Sequence, residues 1–164
     1  MSESHFAYLS LGSNIRPEIN LVQAIKLLHN YGEVLKVSST WESISVGAEG
    51  PNYLNACVLF NCPLMQVELK EYIIRPIEAK LGRQRSKDKF APRTIDIDIV
   101  LFDEKPYNVE YWNYAFVIVP LAEIYPEYQN PFTQETINET ALRLRQTVWV
   151  EARPDVLRQF IGKK

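Results

Sequence analysis

The sequence predicts an α+β domain, a mainly antiparallel sheet with helices packed against it. Three observations carry that expectation. Several short runs are rich in β-branched and aromatic residues and are bounded by glycine, proline or asparagine, as strands are. Two other runs repeat apolar residues every three to four positions and end on glycine, as amphipathic helices do. Their order along the chain is strand, helix, strand, strand, helix, strand.

Phe6 to Leu11 reads as the first strand, ended by Gly12-Ser13-Asn14. Pro17 suits the first turn of a helix, where a missing N–H costs nothing. Leu21, Ala24, Ile25 and Leu28 give that helix its apolar stripe, and Gly32 suits its end. Val34 to about Ser45 is extended, Gly47 to Pro51 is a loop, and Tyr53 to Phe60 is a third strand. Pro63 is expected to open a second helix, with Leu69, Ile73, Ile77 and Leu81 at four-residue spacing and Gly82 closing it. Pro76 inside that helix removes one backbone hydrogen bond and predicts a kink. The run from Arg93 to Phe102 is the last core strand. This order is the ferredoxin-like βαββαβ pattern, in which helices cover one sheet face and leave the other open. C-terminal additions are expected: apolar Val117 to Leu121 before a turn, a helix capped by Thr133 that carries Ile137, Ala141 and Leu144, a short strand at Val148 to Val150, and a short helix from Pro154.

The 164 residues are enough for a single domain, 1–164, with a real core. The formal net charge of -2 gives no general attraction to nucleic acid or an anionic membrane. No apolar run approaches the roughly 20 residues of a membrane span, and the N-terminus has no signal-peptide pattern. Cys57 and Cys62 read as two reduced, buried thiols at a strand end. A reducing cytoplasm is the expected compartment and a monomer the expected state. His5 and His29 have no metal partner at useful spacing and are expected at the surface.

The last core strand carries two carboxylates that do not belong in a buried strand. Asp96 and Asp98 are two residues apart, so they point to one face, roughly 6–7 Å apart along the strand. Ile95, Ile97 and Ile99 point the other way. Carboxylates so placed repel unless cations lie between them, and paired divalent ions are a phosphoryl-transfer device. On composition alone, the pair is also a device against edge-strand aggregation. The segment before it supplies five cations in eleven residues, Arg83 to Arg93. That suits an anionic polyphosphate. In the third strand, Leu54, Ala56, Val58 and Phe60 form the apolar set, so Tyr53 and Asn55 oppose it. Tyr53, Asn55, Asp96 and Asp98 are therefore expected on the same open face, where a flat heterocycle fits beside a phosphoryl centre.

These residues bring a family into view. The chain resembles the 6-hydroxymethyl-7,8-dihydropterin pyrophosphokinases in Tyr8-Leu9-Ser10-Leu11-Gly12-Ser13-Asn14 and Tyr53-Leu54-Asn55-Ala56. It does so again in Ile77-Glu78 with Gly82-Arg83-Gln84-Arg85, in Pro92 to Phe102, and in Phe116 with Pro120 to Pro126. The resemblance implies transfer of pyrophosphate from ATP, the co-substrate, to the pterin hydroxymethyl group with two Mg2+ ions. By motif, Asp96 and Asp98 are then metal ligands, and Arg83 and Arg93 grip phosphates. Asn55 bonds the pterin edge, with Tyr53 and Phe116 stacking on the ring. Glu78, Arg75, Arg85 and Phe90 fall on the nucleotide side, Phe90 in place of a loop tryptophan.

The departures lie on that nucleotide side. The family's Val-Pro-His motif and the arginine before the stacking phenylalanine are missing, and Tyr114 stands where that arginine would fall. The stretch from Asp103 to Ala115 is short by several residues. Ser43-Ile44-Ser45 replaces a Thr-Pro-Pro turn, and Arg75 stands where glutamine is common. Each lost charge-assisted contact costs roughly 1.5–3 kcal/mol, so losing two weakens ATP binding roughly 10²–10⁴-fold. Two alternatives follow: a pterin-binding module without catalysis, or another two-metal nucleotide-transfer enzyme.

Overall fold

The computed structural model describes residues 3–45, 50–84 and 92–161. Its centre is an antiparallel sheet in the order β6-β5-β1-β4-β3-β7, with β2 also paired to β4. The strands are β1 (His5–Ser13), β2 (Glu33–Val37), β3 (Thr40–Ser43), β4 (Tyr53–Cys62), β5 (Asp96–Phe102), β6 (Lys105–Pro106) and β7 (Val150–Arg153). Helix α1 (Pro17–His29) buries the expected stripe of Leu21, Ala24, Ile25 and Leu28. Gly32 lies two residues past the α1 C-cap for a packing reason. A Cβ there would come within 2.5 Å of the Asn61 carbonyl oxygen and 2.8 Å of the Phe60 ring.

The second helix begins later than Pro63. α2 (Gln66–Leu69) starts after Met65, whose N–H is capped by Glu68 Oε1 at 3.2 Å. It runs into a π-helical turn (Lys70–Ile74) and then α3 (Arg75–Lys80). In the widened turn the Arg75 N–H donates to the Lys70 carbonyl, five residues back. The turn ends two residues before Pro76, whose ring and missing N–H disrupt the ordinary four-residue pattern. Gly82 ends the helix at φ 85°, a conformation that favours glycine.

Period-two alternation sorts the core into two clusters. Leu9, Leu11, Leu54, Ala56, Val58, Phe60, Ile97 and Ile99 pack with α1 and the α2–α3 helix. Each Leu, Ile, Val or Phe among them contributes roughly 1.5–3 kcal/mol when fully buried. The opposite face is not open. Tyr8, Cys57, Leu59, Val100 and Leu101 pack there under α4 (Ala115–Ile124) and α5 (Ile137–Arg145). Helices thus cover both faces of the sheet. Val117 to Leu121, expected as an apolar stretch before a turn, is the middle of α4. The α5 cap is Thr136 rather than Thr133. Its hydroxyl accepts from the Glu139 N–H at 3.1 Å, and Glu139 accepts from the Thr136 N–H at 3.1 Å. The last strand begins at Val150, and a 3-10 helix (Arg158–Phe160) follows it.

His5 departs from expectation. It is buried, its Nδ1 lies 2.6 Å from Asp103 Oδ2, and its ring stacks on Phe102. It shares the parity of Ala7 and Leu9, which turns it inward. His29 is exposed. Cys57 and Cys62 are free and buried, and burial pushes both thiols up in pKa. No helix among the described residues is long and apolar enough to cross a membrane.

Candidate active site

The second sheet face changes character along its length. Under α4 it is apolar. Beyond Tyr8, the same face of β1 presents Ser10 and Gly12. Two cross-strand rows meet there. Asp96, Gly12, Asn55 and Trp41 form one, and Asp98, Ser10 and Cys57 the next. Asp96 and Asn55 are two strand spacings apart, roughly 9–10 Å, with Gly12 between them. A Cβ at Gly12 would lie 3.2 Å from Asn55 Oδ1 and 3.8 Å from the Tyr53 ring. Glycine therefore keeps the floor of the site flat. Pairing of β1 with β5 shifts between Tyr8 and Leu9, so Val100 is an extra residue. This bulge turns Leu101 to the core beside Tyr8 while both aspartates stay at the site.

Asn55 is buried, and its amide is fixed. Nδ2 donates to the Trp41 carbonyl at 3.0 Å and to Ser43 Oγ at 2.8 Å. Because a carbonyl cannot donate, Oδ1 must face the cleft. Asn14 joins the first loop to the base of β5. It accepts the Arg93 N–H on Oδ1 at 2.8 Å, and its own N–H donates to the Arg93 carbonyl at 3.1 Å. That clamp places the Arg93 side chain beside Asp96.

Asp96 is held between two guanidinium groups. Arg93 Nη1 lies 2.8 Å from Oδ2 and Arg83 Nη2 lies 3.3 Å from Oδ1. Arg83 Nη1 also donates to Glu78 Oε2 at 3.0 Å, and that oxygen accepts the Ile97 N–H at 3.0 Å. Glu78 is buried. Among the described residues, Arg83 Nε is buried with no acceptor, so the guanidinium has a donor to spare.

Two clefts share this centre. The larger, about 470 Å³, is lined by Gly12, Ser43, Tyr53, Asn55, Tyr114 and Phe116 among others. Tyr114 and Phe116 stack with ring centroids 5.2 Å apart. The smaller, about 260 Å³, is lined by Lys70, Ile74, Arg75, Glu78 and Arg83. Arg93, Asp96, Asp98 and Tyr111 line both. One cleft is aromatic and the other cationic, and the aspartates stand where they meet.

Asp98 is pushed up to about 7, first by burial and then by the negative charges of Asp96 and Glu78. Burial, followed by the charges of Asp98 and Asp96, also raises the Tyr111 phenol, and burial raises Tyr53. No group of three or more His, Cys, Asp or Glu among the described residues could form a metal cage. Mg2+ does not need one. It retains waters and takes one or two carboxylates plus substrate phosphates. A pair of oxygen ligands beside a cationic cleft fits that ion.

Tyr53, Asn55, Asp96, Asp98, Arg93 and Phe116 thus line one cleft. Glu78, Arg75 and Arg83 line the other, with Arg75 half-exposed and 3.5 Å from Glu71. Arg85 and Phe90 lie outside the described residues. Sequence reasoning gave no site role to Ser43, Gly12, Lys70 or Tyr111. Gly12 pairs with Asn55 and Ser43 with Tyr53, so both share that face and strand parity could have found them. Lys70 opens the π-helical turn, and Tyr111 carries no periodic signal.

Fold and site together define a class: a small protein of sheet and helices with paired carboxylates where an aromatic and a cationic cleft meet. Residues 8–126 match the 7,8-dihydro-6-hydroxymethylpterin-pyrophosphokinase (HPPK) family, and the chain belongs to it. It is 35% identical to the 2-amino-4-hydroxy-6-hydroxymethyldihydropteridine pyrophosphokinase of Bacillus subtilis, over 86% of this chain and 90% of that one. The protein of the same name from Synechocystis is also 35% identical, over 82% and 74%. The crystal structure of Plasmodium falciparum HPPK-DHPS aligns with a TM-score of 0.68 at 12% identity, over 87% of this chain and 45% of that one. The chain spans less than half of that protein, and the likeness is one of fold.

Proposed function

We propose that this chain transfers pyrophosphate from ATP to 6-hydroxymethyl-7,8-dihydropterin, giving the pterin diphosphate and AMP, as a step of folate biosynthesis. The observation that carries the reading is the junction: Asp96 and Asp98 line both an aromatic and a cationic cleft. A reaction between a flat heterocycle and a polyphosphate needs that juxtaposition. The pterin lies over Gly12, bonded by Asn55 Oδ1 and stacked by Tyr53 and Phe116. The triphosphate lies along Lys70, Arg75, Arg83 and Arg93. Two Mg2+ ions bound by Asp96 and Asp98 supply neutralisation of phosphate charge.

The reaction forms a bond from the pterin hydroxymethyl oxygen to the β-phosphorus. The bond from that phosphorus to the α–β bridging oxygen breaks, AMP leaves, and the hydroxyl proton is released. The protein contributes in-line positioning and charge. Arg83 and Arg93 are poised for this, because the carboxylate they hold is the one a cation would occupy. The cationic lining supports an active enzyme over a binding module, since three arginines and a lysine line that cleft although the family's Val-Pro-His motif is missing. The strand order β5-β1-β4 flanked by β2 and β3 supports a ferredoxin-like core. A cytoplasmic monomer is part of this reading.

The test is incubation with the pterin, Mg2+ and ATP from micromolar to several millimolar, with AMP quantified. AMP appearing only when pterin is present is expected. ADP as the nucleotide product, or AMP formed equally without pterin, would overturn the reading.

A further inference from the structure

Tyr111 lines both clefts. It sits in a 3-10 helix (Val109–Asn113) within the segment that is short relative to the family. That helix is firmly placed. Asn108 Oδ1 accepts the Glu110 N–H at 3.0 Å, and the Tyr111 N–H donates to the Asn108 carbonyl at 3.2 Å. The neighbouring Trp112 is buried and stacks on Tyr128, whose hydroxyl donates to the Glu104 carbonyl at 2.7 Å. The Tyr111 ring, half-buried, packs against the α4–α5 core. It shares the lining of both clefts with Asp98 and Asp96, whose charges bear on its phenol.

We propose that Tyr111 is a positioning residue for the aspartate pair: its phenol donates to Asp98 and fixes that carboxylate at the junction of the two clefts. This rests on the metal-binding reading of Asp96 and Asp98. A phenol is a donor that keeps its proton at neutral pH. Bonded to one carboxylate oxygen, it leaves the other free for a cation and sets the direction it presents. Partners of this kind orient metal ligands, and their loss typically weakens metal binding about 10–100-fold. The ring has a second consequence. Lying between the aromatic and cationic compartments, it limits how far either ligand can slide past the aspartates. In this chain a short, anchored 3-10 helix thus brings an ordering contact to the metal pair.

The test is Mn2+ binding, read by electron paramagnetic resonance. An ATP analogue with a methylene at the α–β bridge is present, and the parent is compared with Tyr111→Phe. Expected in Tyr111→Phe are about a tenfold weaker Mn2+ affinity and a broadened Mn2+ spectrum. Pterin affinity and thermal stability should be those of the parent, because the ring remains. Tyr107→Phe, on the same segment but exposed, should bind Mn2+ as the parent does. Tyr111→Leu is the second variant if Tyr111→Phe does not fold, and the same loss of Mn2+ affinity is expected. Parent-like Mn2+ affinity and spectrum in the folded variant would overturn the role of Tyr111 and leave the metal site standing. No Mn2+ binding by the parent would overturn the metal reading itself, and this role with it.

Discussion

The two clefts are built from different materials. The aromatic cleft rests on strand residues whose partners are already in place: Asn55 is pinned by Trp41 and Ser43, and Gly12 is walled by Asn55 and Tyr53. The cationic cleft rests on charges engaged with each other, Arg83 and Arg93 with Asp96, and Arg83 with Glu78. A preorganised cleft loses little on binding its ligand. A cleft of ion pairs must exchange partners. Cations at the aspartates would release the arginines toward phosphate, so metal and nucleotide are expected to reinforce each other's binding, while the pterin depends less on either.

Ways to break that contrast can be ordered by size. Replacing Asp96 or Asp98 by alanine should lower AMP formation at least about 10³-fold, since charge neutralisation is most of what the protein supplies. Retained turnover in either variant would refute the assignment. Asn55→Ala should weaken pterin binding roughly 10–100-fold by removing a buried, oriented acceptor. Nucleotide binding should stay within a factor of two. An equal loss on both sides would erase the distinction between the clefts.

A pH titration of stability sharpens the metal side. Folding raises Asp98 from 3.8 to about 7. Between those values the unfolded chain has released this proton and the folded protein keeps it. The unfolded state binds fewer protons, so Asp98 lowers stability as pH rises through that window. Asp98→Asn, or saturating Mg2+, should flatten the slope in denaturant melts from pH 4 to 7. The smallest effect is expected at Arg75, half-exposed and paired to Glu71 across one helical turn. Arg75→Ala should raise the KM for ATP about two- to fivefold with pterin KM unchanged.

The same contrast explains what was legible in the sequence. Tyr53, Asn55, Asp96 and Asp98 could be placed together because side-chain direction in a strand follows from counting by two. The order of strands and helices then said which side the apolar sets pack against. The covering of the second face was hidden, because α4 is apolar almost all round and shows no polar side to reveal its period. The strand that begins at Val150 and the α5 cap were legible to within a few residues, since Thr136 and Thr133 are both plausible caps and only Glu139 distinguishes them. Tyr111 and the clamp between Asn14 and Arg93 were illegible for a simpler reason. They are long-range contacts from irregular segments, and no local pattern specifies them. Pro76 was rightly expected to disturb its helix, but nothing local specifies the π-helical turn before it, in which Ile73 and Ile74 are both buried.

The central claim is that one aspartate pair serves both clefts at once. It is tested most directly by binding a pterin carbon-13 labelled at its hydroxymethyl group, together with Mn2+ and the methylene analogue of ATP. The carbon resonance is then followed by NMR. Strong paramagnetic broadening in the parent, lost in Asp98→Asn while pterin stays bound, is the predicted result. A bound pterin whose hydroxymethyl carbon is untouched by the bound Mn2+ would place the two ligands apart and contradict the account.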